Sequence, residues 1–255
     1  MDSGNYFFQL RDVHKDFGGL TAVQNLSFHI ERGKITSLIG PNGAGKTTVF
    51  NLISGQLPLD KGQILFKGKS ITLLSPHKIV DLGIARTFQE LRLFQRLTAL
   101  QNVLVGLQHR QGERLFPALL RGPSLKEEEL ADLQKARDLL RLVKLEPKGD
   151  ELVENLSYGE QKLLSLARVL ATDAELIMLD EPASGIPLGE VDRMLMIIQD
   201  LVKQGKTILV VEHNMEAVMR ISDWIIVLNF GEQIASGTPQ EIQINKDVIR
   251  IYLGI

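Results

Sequence analysis

Gly40-Pro-Asn-Gly-Ala-Gly-Lys-Thr47 decides the fold. A short apolar run, Lys34 to Ile39, leads into it, and a helix-like stretch, Lys46 to Ser54, leads out and ends near Gly55. Strand, glycine-rich turn and helix form the context in which such a loop grips a triphosphate. Backbone N–H groups of Asn42 to Thr47, with Ala44 among them, can ring phosphate oxygens only if the chain curls tightly. Gly40, Gly43 and Gly45 permit that curl. The following helix aims its positive end at the same point. Lys46 adds a mobile charge for the outer phosphates, and Thr47 offers a hydroxyl to magnesium.

Two further strand ends carry chemistry. Leu176-Ile-Met-Leu-Asp180 is apolar until Asp180, and Glu181 follows it. Paired acids at the end of a buried strand have a use if Asp180 holds magnesium through water and Glu181 takes a proton from an attacking water. On its own the pair reads as an ordinary exposed strand end; beside Gly40–Thr47 it does not. His213 follows a second such strand, Ile208-Leu-Val-Val-Glu212, and alone among the five histidines stands at such an end. That is the edge where parallel sheets bind ligands. Gln89 follows Gly83-Ile-Ala-Arg-Thr-Phe88 and can offer an uncharged ligand to magnesium or water.

Outward from these points the chain reads as α/β. Residues 7–14 and 23–31 alternate as strands of an antiparallel edge sheet, and Gln63–Phe66 forms another strand. Pro76 opens a helix reaching Asp81. From Leu91 to Ala171 the pattern is helical, with Thr98 and Gln101 as a capping box for a helix through Gln108. An amphipathic helix over Ser124–Val143 follows. Lys126-Glu-Glu-Glu129 reads as its solvated first turn, and Leu115–Pro123 as an irregular insertion. Strands at 175–179, 207–211 and 224–228, separated by helices at 189–203 and 214–221, imply a parallel sheet covered on both faces. A small strand and closing helices complete residues 232–255.

Composition sets outer bounds. The 255 residues are 44% hydrophobic and 24% charged, with a formal net charge of −2. No global basic field recruits nucleic acid. There is no cysteine, hence no disulfide, zinc-thiolate cluster or thiol nucleophile. Charge enters the first dozen residues too early for a signal peptide. No apolar run approaches the roughly 20 residues that span a bilayer.

These pieces, in this order, resemble the ATPase subunit of an ABC transporter over almost the whole chain. Gly40–Thr47 corresponds to the Walker A loop, Gln89 to the Q-loop and Leu156-Ser-Tyr-Gly-Glu160 to the signature. Leu176–Asp180 corresponds to Walker B, Glu181 to the catalytic carboxylate and His213 to the switch histidine. Within the family the chain is most similar to ATPases of branched-chain amino acid transporters. The segments that carry this are Phe17–Val23, Gly83–Gln89, Leu93-Phe94 with Leu97-Thr98 and Asn102-Val103, Ala235–Pro239 and Tyr252–Gly254. Three positions depart from the usual pattern. Tyr158 replaces a glycine, Glu160 a glutamine, and Pro187 the polar residue of the D-loop, which loses a donor there.

The resemblance implies a RecA-like P-loop NTPase core with a parallel sheet, an N-terminal antiparallel β subdomain and an α-helical subdomain. It makes residues 1–255 one ABC ATPase domain, with core 1–88 and 170–255 and helical subdomain 89–169. It implies ATP and Mg2+ as cofactors, with Phe17 stacking on adenine and Val23 and Thr48 also among the nucleotide-binding residues. Ser157 and Gly159 would meet the γ-phosphate of a facing subunit, just ahead of a helix over Glu160–Ala171, with Glu160 also among the nucleotide-binding residues. The implied partners are transmembrane permease subunits, a second ATPase that is itself or a paralogue, and indirectly a substrate-binding protein, with no nucleic acid. The implied place is the cytoplasmic face of a membrane, held peripherally. The apolar residues Phe94, Leu97 and Leu100 are candidates for docking a membrane subunit or for simple core packing. An ABC ATPase for an amide, urea or lipid cargo, a non-transport ABC protein and a P-loop small-molecule kinase stand as alternatives.

Overall fold

The structure, a computed structural model, is described for residues 6–107 and 123–253. Two compact units form. One holds the chain up to Arg86, Glu175–Ser184 and Val191 onward; the other holds Thr87–Ala174 and Gly185–Glu190.

The first unit begins with a hairpin of β1 (Phe8–Phe17) and β2 (Leu20–Ile30). The strands run on to Phe17 and Leu20, further than alternation alone predicts, because Gly18 and Gly19 both take positive φ, 52° and 99°. That suits a two-residue turn matched to strand twist. β4 (Lys61–Phe66) and β5 (Lys69–Ser70) complete an antiparallel sheet ordered β2-β1-β4-β5.

The second sheet is ordered β10-β9-β3-β8-β7-β6. Its parallel members are β3 (Ile35–Ile39), β6 (Ile84–Arg86), β7 (Leu176–Asp180), β8 (Thr207–Val211) and β9 (Trp224–Asn229). The expected parallel sheet is extended by an antiparallel edge, β10 (Glu232–Gly237), which returns along β9 from a tight turn. β3, β7 and β8 are buried along their whole length, as parallel strands covered on both faces must be.

Two cores explain that cover. On one side Leu38, Leu176, Met178, Leu209, Ile226 and Leu228 join Val49, Phe50 and Ile53 of α1 (Lys46–Ile53) and the inner face of the antiparallel sheet. Truncating the fully buried Phe50 to alanine would cost about 3–5 kcal/mol by loss of transfer energy and cavity formation. On the other side the alternate residues Ile39, Ile225 and Val227 meet Val218, Ile242 and Val248. α2 (Pro76–Asp81) starts at its proline as expected.

In the second unit, α3 (Ala99–Gly106) carries the predicted capping box: Thr98 Oγ1 accepts from Gln101 N–H, and Gln101 Oε1 accepts from Thr98 N–H. The helix stops at Gly106 instead of reaching 108, because Leu107 turns to extended backbone. α4 (Pro123–Leu142) opens at Pro123, so Glu127–Glu129 lie past its first turn rather than within it. Residues 115–122 of the expected insertion lie outside the described residues. α5 (Tyr158–Ala171) approaches α3 so closely that a Cβ on Gly106 would stand 2.6 Å from the Arg168 carbonyl oxygen. The chain then continues through α6 (Leu188–Lys203), α7 (Met215–Ile221), α8 (Pro239–Gln243) and α9 (Lys246–Leu253).

Candidate nucleotide site

The phosphate loop is shaped by what surrounds it. Gly40, Gly43 and Gly45 have φ of 152°, 78° and 100°. A Cβ on Gly45 would stand 2.5 Å from the Ala22 carbonyl oxygen, and one on Gly40 would stand 2.2 Å from that of Leu228. Glycine is therefore demanded by both conformation and space. The turn between β9 and β10 supports the loop, since Gly231 N–H donates to Ala44 O at 3.0 Å.

Gly45 is the N-cap of α1 and no side chain caps it. The opening amides of that helix are left for a ligand, which is what an anion site needs. Lys46 is buried and curls over the loop, donating to Gly40 O at 2.7 Å and Pro41 O at 2.9 Å. Burial lowers its pKa, while the nearby Glu181 and Asp180 act to raise it. Asn42, Gly43 and Thr47 are exposed and Thr48 is half-buried, whereas Ala44 is buried.

Asp180 ends β7 and is nearly closed off from solvent. Glu181 follows with φ 49°, a left-handed conformation uncommon for a residue with a side chain. Its N–H donates to Val211 O at 2.9 Å, which locks the turn against β8. Such outliers gather where geometry serves function. His213, just beyond β8, places Nε2 2.8 Å from Glu181 Oε1. The sequence thus named two residues 32 positions apart that the parallel pairing of β7 and β8 brings into contact.

Two residues escaped the sequence reading. Glu212 is 1% exposed and accepts backbone N–H groups from Ala183, His213 and Asn214 at 2.6, 3.1 and 3.4 Å. It clips together the loops that carry Glu181 and His213. Its only signal was a charge closing an apolar strand. Arg86 at the end of β6 forms a buried ion pair with Asp180, Nη2 to Oδ2, at 2.6 Å. No local pattern announces a contact across 94 residues.

Of the adenine-side candidates, Phe17 is 44% exposed at the end of β1, with Lys15 Nζ 5.5 Å from its ring centroid. Val23 is wholly buried in the core, so its backbone is what it can present.

Gln89 and the signature segment belong to the second unit. Gln89 is exposed. Ser157 is the N-cap of α5, and Tyr158 and Gly159 stand inside the helix, which corrects the expectation that it starts at Glu160. The capping box explains the earlier start. Ser157 Oγ accepts from Glu160 N–H at 3.2 Å, and Glu160 Oε2 accepts from Ser157 N–H at 2.9 Å. Lys148 Nζ lies 2.8 Å from Glu160 Oε1. Burial acts to raise the Glu160 pKa, but Lys148 and the Ser157 amide outweigh it and hold the carboxyl below its ordinary range. A Cβ on Gly159 would stand 1.6 Å from Glu190 Oε2, so a larger residue there needs the Glu190 carboxyl to swing aside. The Tyr158 ring covers Gly185.

The donor chemistry suits magnesium. Among the described residues no cluster of three or more His, Cys, Asp or Glu can hold a metal by itself. Thr47 and Asp180 supply hard oxygen, and magnesium commonly takes one or two protein oxygens with phosphates and water completing its shell.

An uncapped helix after a glycine loop, with acids and a histidine at neighbouring strand ends, defines a P-loop NTPase α/β protein. The chain belongs to the ABC transporter family, whose match spans residues 23–184. It is 41% identical over 239 residues to the high-affinity branched-chain amino acid transport ATP-binding protein LivG of Salmonella typhimurium, covering 93% of this chain and 94% of that one. Among solved structures, it is similar to a nucleotide-free ATP-binding cassette from an ABC transporter, with TM-score 0.85, 31% identity and coverage of 98% and 99%. It is also similar to a dimeric post-hydrolysis state of an ATP-binding cassette bound to ADP and Pi, with TM-score 0.75, 25% identity and coverage of 91% and 98%.

Proposed function

We propose that this chain is the ATP-hydrolysing subunit of an ABC transporter that takes up branched-chain amino acids. The observation that carries the hydrolytic reading is the Glu181–His213 contact at adjacent strand ends, on the unit that also bears the loop with Lys46. The branched-chain cargo is supported by the relative named above.

In this reading Asn42 to Thr48 hold the phosphates, Phe17 stacks on the base, and Thr47, Asp180 and Gln89 attend the magnesium ion. When bound, the ion would supply charge that neutralises the phosphates. Glu181 accepts the proton of the attacking water, and His213 holds the carboxylate from the side and reaches toward the terminal phosphate. Ser157 and Gly159 close over the nucleotide of a second ATPase subunit, itself or a paralogue, in a two-fold pair. ATP at 100 times its Kd favours the closed pair by about 2.7 kcal/mol per site. That energy moves permease subunits in the membrane, fed by a substrate-binding protein. No helix among the described residues is long and apolar enough to cross a membrane. The chain then works peripherally at the cytoplasmic face. The half-exposed Phe94, with Arg168 stacked 5.3 Å from its ring centroid and its backbone fixed by Asn102, belongs to the docking surface.

Glu181→Gln tests the reading. ATP binding persists, turnover falls about 10²–10⁴-fold, and a closed dimer accumulates on sizing with ATP. Unchanged turnover rejects the role of Glu181.

A further inference from the structure

Arg86 ends β6, three residues before Gln89, and its side chain is only 6% exposed. The guanidinium has a distinct acceptor on each arm. Nη2 donates to Asp180 Oδ2 at 2.6 Å, and Nη1 donates to Asn51 Oδ1 at 2.7 Å and more weakly to Ser54 Oγ at 3.4 Å. Its central carbon lies 5.1 Å from the Phe50 ring centroid. Phe50 and Asn51 belong to α1, the helix that the phosphate loop opens, and Ser54 caps its end. One planar cation thus braces the acid of β7 against the helix that starts at Lys46 and Thr47. Burying a carboxyl group without such a partner is costly. Lysine's compact ammonium lacks the planar fork that directs separate donors to acceptors on two elements.

We propose that Arg86 is a positioning residue for the magnesium ion that accompanies the nucleotide. It sets the Asp180 carboxylate relative to α1, and so relative to the Thr47 hydroxyl. This rests on the assignment of Asp180 and Thr47 to the cation side of the site. Residues that orient metal-attending groups typically matter 10–100-fold to metal affinity.

The test is binding, without turnover. A fluorescent ADP analogue is titrated onto the full chain with Mg2+ and again with EDTA, and the ratio of the two affinities is the magnesium-dependent gain. In Arg86→Gln that gain falls about 10–100-fold while the EDTA affinity holds. Arg86→Lys keeps the charge and recovers part of the gain. Asn51→Ala keeps the ion pair, loosens its brace, and loses less than Arg86→Gln. If Arg86→Gln does not fold, the other two variants decide, and an undiminished gain in both overturns the proposal. An equal fall in EDTA affinity also overturns it, since the effect is then general. Asp180→Asn separates the two levels. If it keeps the gain, the assignment of Asp180 fails; if it loses the gain while the Arg86 variants keep it, only the role of Arg86 fails.

Discussion

The N-termini of α1 and α5 are both candidates to meet phosphate, yet the chain finishes them differently. Gly45 leaves α1 without a side-chain cap, so its amides wait for an outside anion. Ser157 and Glu160 cap α5 from within, and Lys148 anchors the capping carboxylate. The first end is shaped by ligand binding at the expense of local stability. The second is stable alone, and a phosphate arriving there competes with the chain's own groups. In the proposed function, tight nucleotide binding would belong to the α1 end, and the α5 end would answer once a second subunit brings a nucleotide to it.

Lys46→Ala gives the largest effect expected from this contrast. Losing a charged hydrogen-bond donor worth about 1.5–3 kcal/mol weakens ATP about 10- to 150-fold by titration. The nucleotide-free fold keeps its denaturation midpoint, since a buried cation has been removed. Ser157→Ala should do the reverse. It costs about 1 kcal/mol of fold stability by chemical denaturation and leaves ATP affinity of the single chain intact, while weakening ATP-driven pairing in a Glu181→Gln background. If both variants lower the same quantity, the contrast fails.

Glu160→Gln is the mildest change, since glutamine also completes a capping box. It sharpens the contrast through pH. The folded Glu160 carboxyl titrates below its ordinary 4.5, so its contribution is full above that value and is lost as pH falls through the lower folded one. The stability advantage of the parent chain over Glu160→Gln should shrink as pH drops below 4.5, as followed by denaturation midpoints. An advantage that is constant between pH 6 and pH 3 removes Lys148 and Glu160 from the account.

What the sequence shows and what it hides divides along the same lines. Gly40–Thr47, Asp180-Glu181 and the capping pair Thr98–Gln101 are local: spacing and residue type determine them. β6 is not local. Three residues become a strand because Ile84, Ala85 and Arg86 register against Leu176, Ile177 and Met178. The start of α5 was missed because glycine opposes helix, and the Ser157–Glu160 box overrides that cost. Arg86 and Glu212 reveal themselves only when the sheet assembles, for each acts on groups contributed by other elements.

Because Glu212 accepts amides from both loops, the turn after β7 and the turn after β8 cannot part without leaving a side chain that is 1% exposed short of its hydrogen-bond donors. Glu181 and His213 are thereby riveted into one mechanical piece. A hinge between these two turns would first have to break the Glu212 bonds to Ala183 and His213 N–H.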